Sequence, residues 1–270
     1  MADFPRRDGR RTVLGMIHLR PLPGTPFHQD GTLGKTLDSA VRSAVALERG
    51  GADGCLIQTV ERVYSVADES DPARTAAMTL ITDAVVRATG AGFHVGVQMM
   101  RHAVSASLGV AKVTGGSFVR VGALVGQTLS PHGMVTPDPL RIMEYRRKIA
   151  GEDIGIIADI DSMHFSWFGG GKTTAEVAKA AAGAGADAVS LCHRDDDTTL
   201  RMIDAVRAAA PDLPVILAGH THHDNAARLL AAADGAFVGS CLERSGWGSE
   251  IDPARVASYM DAVRTTGGRP

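Results

Sequence analysis

Polar and ionisable side chains stand at or near the ends of short apolar runs throughout this 270-residue sequence. They are His18, Gln98, Arg120, Asp159, Asp161, His193 and His220. Burying such groups without partners costs a few kcal/mol each, so their repetition beside apolar segments indicates a shared site. A histidine oriented by a carboxylate passes protons near neutral pH. We therefore predict an acid/base centre of His18, Asp159 and His193, in which Asp159 pairs with one of the two histidines.

A second group of residues has the chemistry of an anion-binding corner. Gly219, Gly239 and Ser240 follow the last two apolar runs, and glycine lets backbone N–H groups approach a phosphate closely. The other predicted substrate contacts are Gln98, Arg120, Asp161, His164 and His220. Arg120 has two interpretations, which are anion binding and a buried ion pair with Asp159 or Glu61.

Histidines and a carboxylate on different strands are also a ligand set for a divalent metal ion. The first apolar run holds only His18 and lacks the His-x-His pair that would strengthen this interpretation. We assign no residue as a metal ligand and predict no cofactor. A metal-dependent hydrolase or lyase stays open as an alternative.

Eight short apolar runs, rich in Val and Ile, are the elements that must position these residues. They begin at Thr12, Asp53, Phe93, Gly116, Ile154, Asp187, Pro214 and Asp234. Each is nearly continuous in apolar character, which is typical of strands buried on both faces of a parallel sheet. Ala-rich stretches of helical period lie between them, at 36–49, 72–89, 174–182 and 198–209.

Eight strands that alternate with helices predict a single (β/α)8 TIM barrel at 12–270, preceded by a disordered leader at 1–11. The loops that follow strands are long, at 20–34, 59–71, 122–137 and 162–172, and such loops carry the catalytic groups of barrels. A Gly-Ala-Asp pattern precedes strands at 51–53 and 185–187, and its Ala-Asp part recurs at 233–234.

An open doubly wound sheet is the rival architecture. It would place a glycine-rich phosphate turn after an early strand, and the sequence has no such turn. The stretch from Gly169 to Lys172 resembles the end of a P-loop, but Ser166 stands where the first glycine of that motif belongs.

Composition excludes several classes of function. With 28 basic and 30 acidic residues the net charge is -2, which provides no general attraction to nucleic acid or an anionic membrane. The first apolar run is too short for a signal sequence or a membrane span. Three widely spaced cysteines form neither a disulfide framework nor a zinc finger and fit a reducing cytoplasm. We expect a cytoplasmic homo-oligomer that binds a small molecule, with a phosphorylated one favoured.

The loop after the first strand is the most distinctive segment. Its sequence from His18 to Pro26, HLRPLPGTP, is similar to the signature of the BtpA/SgcQ family. The segments GSFVRV from Gly116, ADID from Ala158 and ADGAFVG from Ala233 resemble that family's fourth, fifth and eighth strand blocks. The resemblance implies a barrel fold and one of two functions, a photosystem I biogenesis factor or a sugar- or nucleotide-handling enzyme.

The chain also departs from the family pattern. The family usually has Gly-Ser-Gly where this chain has Ala218-Gly219-His220, Asn where Gln98 stands, and a lysine near Glu243. These differences indicate altered chemistry at the phosphate corner.

The residues and the resemblance together predict an enzyme, of the lyase, isomerase, hydrolase or transferase class. We expect it to act by acid/base chemistry on a small phosphorylated sugar, nucleoside, nucleotide or related metabolite. A non-catalytic assembly factor of the photosystem type is the alternative, and it requires an exposed apolar patch.

Overall fold

Parallel strands close into a barrel in the computed structural model, which describes residues 11–264. The strands are β1 (Thr12–Leu19), β2 (Gly54–Thr59), β3 (His94–Gln98), β4 (Phe118–Val121), β5 (Thr128–Ser130), β6 (Gly133–Val135), β7 (Gly155–Asp161), β8 (Ala188–Leu191), β9 (Val215–Leu217) and β10 (Gly235–Val238). The order around the barrel follows the chain, except that β7 pairs with β4 because β5 and β6 form a separate antiparallel hairpin. All eight predicted strands are present, which confirms the single-domain (β/α)8 barrel.

Helices cover the outside of the barrel. They are α1 (Leu33–Arg49), α2 (Pro72–Ala88), α3 (Val104–Thr114), α4 (Pro139–Lys148), α5 (Thr174–Gly183), α6 (Asp196–Ala209), α7 (Ala226–Leu230) and α8 (Pro253–Arg264). The carboxylate of Asp71 begins α2 by accepting a hydrogen bond from the Ala73 amide, and Thr173 with Glu176 forms a capping box at α5. The helices predicted from the sequence correspond to α1, α2, α5 and α6.

The barrel interior is filled by one apolar side chain from most of the strands. These residues form a separate cluster: Leu14, Met16, Leu56, Phe118, Ile157, Ala188, Ile216 and Phe237. Strand β3 contributes Gly96 instead, because a side chain there would overlap the ring of Phe118. Since side chains alternate between the two faces of a strand, the next inward positions toward the C-terminal ends lie directly above this cluster.

The repeated Asp residues before the strands have a structural role at the opposite end of the barrel. Asp53 accepts a hydrogen bond from the Val13 amide, and Asp234 accepts one from the Val215 amide. Asp187 accepts a hydrogen bond from the Ile156 amide near the start of β7, and it also accepts one from the Arg146 guanidinium at 2.9 Å. The repeat therefore fastens strand beginnings and leaves the C-terminal ends for the site.

Most of the predicted leader lies outside the described residues. Its last residue, Arg11, donates a hydrogen bond to the Ala231 carbonyl at 3.1 Å, immediately before β1 begins. In the described part of the chain no helix is both long and apolar enough to cross a membrane.

Candidate functional site

The inward positions above the apolar cluster are polar on the first three strands. Strand register places His18 beside Gln58, and Gln58 beside Gln98. The Gln58 side-chain amide donates a hydrogen bond to the Gln98 side-chain oxygen at 2.6 Å. The predicted residue Gln98 therefore lies behind Gln58 and orients it.

Arg120 and Asp159 form a buried ion pair across β4 and β7. The guanidinium donates two hydrogen bonds to the carboxylate, at 3.0 and 3.1 Å, and its centre lies 4.7 Å from the middle of the Phe237 ring. The Ser190 hydroxyl donates to the same carboxylate. Asp159 thus pairs with Arg120 and with neither His18 nor His193, which is the second of the two interpretations of Arg120.

His18 has a different carboxylate partner. Its Nδ1 lies 3.3 Å from Oε1 of Glu243, a residue that is 1% exposed and follows β10 and a single 3-10 turn. The second oxygen of Glu243 is buried without a hydrogen-bond partner. Trp247 covers the imidazole, with the two ring centres 5.2 Å apart. His18 therefore contacts a buried carboxylate at Nδ1 and packs against the Trp247 indole through its ring.

A cavity of about 570 Å³ occupies the C-terminal mouth of the barrel. The predicted residues that line it are His18, Arg120, His164, Gly219, His220, Gly239 and Ser240. Gln58 and Trp247 complete the wall on the side of His18, and Arg194 with Asp196 lies on the opposite side. Both volume and position are those of a small-molecule site in a barrel enzyme.

The remaining predicted residues lie outside this lining. Asp159 is beneath it, bonded to Arg120. Asp161 accepts a hydrogen bond from the Thr174 hydroxyl at 2.8 Å, in the first turn of α5. His193 is exposed, and its Nδ1 accepts a hydrogen bond from the Asp195 amide at 3.0 Å. The structure accordingly gathers seven predicted residues around one cavity, and their roles, catalytic for His18 and substrate-binding for the other six, stay predictions.

Two histidines of the mouth have lowered pKa values. Desolvation by the surrounding wall lowers the pKa of His164, and the charge of Arg120 lowers it further. The pKa of His220 is lowered by desolvation and then by the charges of Arg194 and His193. Both imidazoles are therefore neutral at pH 7 and act as hydrogen-bonding groups there.

The corner after β9 is shaped by backbone conformation. Gly219 has φ of 143° and His220 has φ of 55°, so two successive residues occupy the region that ordinary side chains avoid. The Asn225 amide secures the turn by donating to the His220 carbonyl at 2.9 Å, and the Thr221 and Tyr259 hydroxyls bond at 2.6 Å. The departure from the family pattern therefore belongs to a fixed turn that faces the cavity.

Sequence reasoning missed several residues of this site, among them Gln58, Ser190, Glu243, Trp247, Arg194 and Asp196. Gln58 and Ser190 each follow an inward-facing apolar residue by two positions, so strict alternation along the strands would have found them. Trp247 has a weaker signal, since it stands between two glycines in a strand-following loop. Glu243 has no local signal, because only the closure of the barrel brings it to His18.

The described residues contain no group of three or more His, Cys, Asp or Glu side chains arranged to hold a metal ion. Asp159 is engaged by Arg120, and His193 is not part of the mouth lining, so the ligand set considered from the sequence does not converge. The metal-dependent alternative gains no support from this geometry.

Comparison with known proteins places the chain in a family. The BtpA family model matches residues 9–265, and the chain belongs to this family, as its sequence indicates. A relative from Synechocystis, named photosystem I biogenesis protein BtpA, is 30% identical over 93% of this chain and 87% of its own length.

Solved structures show the same fold at low sequence identity. A tryptophan synthase chain from M. tuberculosis superposes with a TM-score of 0.61 at 17% identity, covering 95% of this chain and 94% of its own. A 3-hexulose-6-phosphate synthase superposes with a TM-score of 0.57 at 16% identity, covering 93% and 99%. These likenesses show the barrel fold.

Proposed function

We propose that this member of the BtpA family is an enzyme that binds a small phosphorylated metabolite in the mouth cavity and transfers a proton through His18. One observation carries the proposal, namely that His18 lines the cavity while its Nδ1 is engaged by the buried carboxylate of Glu243. Phosphorylated sugars, nucleosides and nucleotides are the substrate classes, and an isomerase, lyase, hydrolase or transferase reaction would use such a centre.

The His18–Glu243 pair supports proton transfer for a specific reason. A carboxylate that accepts a hydrogen bond from Nδ1–H fixes the tautomer and leaves a lone pair on Nε2. Nε2 is then the general base, and after it takes a proton the carboxylate balances the charge of the imidazolium. The unpartnered oxygen of Glu243 is consistent with this role, since a buried acceptor without a bond destabilises the folded state and is found where function requires it.

The part of the cavity lining that follows β9 and β10 supports binding of an anion. Gly219, Gly239 and Ser240 lie at two adjacent strand ends, where barrels commonly hold phosphate. Arg194 and the neutral His220 provide hydrogen-bond donors on the same side. One structural neighbour is named for a sugar phosphate, 3-hexulose-6-phosphate synthase, and it adds to this argument only by analogy of fold.

The experiment begins with a panel of sugar phosphates, nucleoside monophosphates and inorganic phosphate, screened by thermal denaturation and then by product analysis. A ligand at a hundred times its Kd stabilises the protein by about 2.7 kcal/mol, which is readily seen. We expect His18→Gln to lower turnover by about a hundredfold or more while the Kd changes little.

The matched control is His223→Gln, since that half-buried ring bonds the Arg255 carbonyl and does not line the mouth cavity. Equal turnover in His18→Gln and His223→Gln would disprove the role of His18.

A second candidate is a non-catalytic assembly factor, in line with the name of the Synechocystis relative. Exposed apolar side chains on the mouth loops favour it, and they are Phe27, Val63, Leu129, Met163, Phe168 and Trp247. This role predicts that no phosphorylated metabolite raises the denaturation temperature and that His18→Gln behaves as the unsubstituted chain in every assay.

A further inference from the structure

A second cavity adjoins the mouth and has a different lining. Its volume is about 390 Å³, and we name it the aromatic slot, formed by Leu19, Pro21, Phe27, Val60, Arg62 and Trp247. Phe27 comes from the loop after β1, Arg62 from the loop after β2 and Trp247 from the loop after β10. Three separate loops thus contribute to one apolar recess beside the polar mouth.

The slot and the mouth cavity meet at the proposed general base. Both His18 and Trp247 line the two cavities, and the indole packs on the imidazole at 5.2 Å between ring centres. A molecule with one part in each cavity would therefore cross the imidazole of His18. This is where a bond between the two parts would react.

The aromatic rings of the slot are available to a ligand. Phe27 is 43% exposed and Trp247 is 63% exposed, although hydrophobic side chains of that size are mostly buried in folded proteins. Gly246 and Gly248, on either side of Trp247, have left-handed φ values of 107° and 80°, which glycine adopts without strain. An exposed aromatic pair that flanks a recess is the arrangement proteins use to stack planar rings.

The charged side chains of the slot restrict the kind of aromatic ring that it would bind. Among the described residues, no carboxylate lines the slot, whereas Arg20 and Arg62 do, with the Gln29 amide between them in the lining. The Arg62 guanidinium already lies 5.0 Å from the centre of the Phe27 ring. Such donors favour a ring that presents carbonyl oxygens and ring nitrogens as acceptors, and they disfavour a cationic ring.

We propose that the substrate carries a planar heteroaromatic ring, which stacks in the aromatic slot while its phosphorylated sugar occupies the mouth cavity. Nucleoside monophosphates are the chemical class that fits. Trp247 and Phe27 are the residues that determine specificity for the ring, and His18 lies beside the bond that joins ring and sugar. This inference rests on the proposed function and narrows its substrate class.

Fluorescence of Trp247 provides a direct test. The chain has two tryptophans, and Trp167, which packs against Gly126, is replaced in a Trp167→Phe background so that Trp247 alone reports. Uridine and adenosine monophosphates are titrated against ribose 5-phosphate and inorganic phosphate. We expect saturable quenching by at least one nucleotide and none by ribose 5-phosphate, even where thermal denaturation shows that ribose 5-phosphate binds.

Affinity measurements by calorimetry then locate the ring. Phe27→Ala removes a ring that lines the slot and not the mouth cavity. It is expected to weaken nucleotide binding about tenfold or more, because stacking a base on an aromatic ring stabilises it by that order, and to leave ribose 5-phosphate affinity unchanged. Trp247→Ala should also weaken nucleotide binding, and Trp247→Phe should retain most of the nucleotide affinity. The matched control is Leu140→Ala, whose side chain is 69% exposed on α4, away from both cavities.

The outcomes separate the two proposals. Equal affinity for nucleotides and ribose 5-phosphate, unaffected by Trp247→Ala and Phe27→Ala, overturns the slot and leaves the proposed function standing. If neither ligand binds and His18→Gln behaves as the unsubstituted chain in every assay, both proposals are overturned. Quenching of Trp247 fluorescence by a nucleotide, with a tenfold selective loss of nucleotide affinity in Phe27→Ala, supports both.

Discussion

Two corners of the barrel mouth each bury a glutamate, and the two glutamates are treated in opposite ways. Glu61 follows β2 and Glu243 follows β10, and both are 1% exposed. Each oxygen of Glu61 accepts a hydrogen bond from Arg74 at 2.8 Å. One oxygen of the Glu243 carboxylate lies 3.3 Å from His18 Nδ1, and the other oxygen has no hydrogen-bond partner. Equal burial therefore does not mean an equal role.

The Glu61 corner is a closed network. The guanidinium of Arg74 also donates to the Thr59 hydroxyl at 2.9 Å and to the Met100 carbonyl, so it joins the loops after β2 and β3. Both carboxylate oxygens of Glu61 therefore have a hydrogen-bond partner, which is typical of a structural ion pair. The Glu243 corner is open, and its unused acceptor sits behind a histidine that faces a cavity. Incomplete hydrogen bonding of a buried acid, more than burial itself, therefore distinguishes the corner that holds the proposed general base.

Removing the cation from the closed corner should give the largest effect. We expect Arg74→Ala to lower the free energy of unfolding by about 3–5 kcal/mol, because the Glu61 charge would stay buried without a partner. Urea denaturation measures it. The matched control is Arg87→Ala on the same helix, whose surface pair with Asp83 is worth less than about 0.5 kcal/mol. Similar losses in both variants would remove the basis of the comparison.

The same substitution in both corners sharpens the contrast. Glu61→Gln should destabilise the protein by about 1.5–3 kcal/mol, since an amide cannot accept both hydrogen bonds from a buried guanidinium. Glu243→Gln should change stability by less than about 1 kcal/mol, because a neutral amide costs less to bury than a carboxylate and this offsets the weakened contact with His18. Glu243→Gln should nevertheless lower turnover at least tenfold, because an amide orients the imidazole less well. Equal destabilisation by the two substitutions would mean that Glu243 is structural too.

His102, in the loop after β3, extends the comparison to a third buried polar group. It is 2% exposed, and neither ring nitrogen has a hydrogen-bond partner. Burial lowers its pKa below the ordinary value of 6.5, with Asp68 raising the pKa and Arg101 lowering it. Below pH 6.5 the His102 imidazole therefore takes up a proton in the unfolded chain but not in the folded chain. The free energy of unfolding is unaffected by this histidine above pH 6.5 and decreases as the pH falls below it.

The corresponding prediction has the smallest effect. The unsubstituted chain should lose up to about 1.4 kcal/mol more than His102→Leu for each pH unit below 6.5, as measured by urea denaturation at several pH values. The control is His222→Leu, whose side chain is 52% exposed and should leave the pH dependence unchanged. Parallel pH profiles for His102→Leu and the unsubstituted chain would show that His102 finds a partner.

Much of the site was predictable because strand ends in a barrel converge. His18, Arg120 and Gly239 lie at the ends of recognisable strands, and the alternation of side chains decides which of them point inward. The expected partnership of Asp159 with a histidine could not be decided in this way. Arg120, on the neighbouring β4, lies closer to Asp159 than either histidine does, and sequence spacing carries no information about lateral distance.

Local chemistry within the chain thus determined the strands, the helices, the polarity of the barrel and the family. Those properties follow from apolar period and short motifs, which need only neighbouring residues. Tertiary structure alone decided which carboxylate lies beside His18. His18 and Glu243 are separated by 225 positions and meet because β10 closes the barrel against β1. The aromatic slot arises in the same way, since three loops distant in sequence form it only when the barrel is closed.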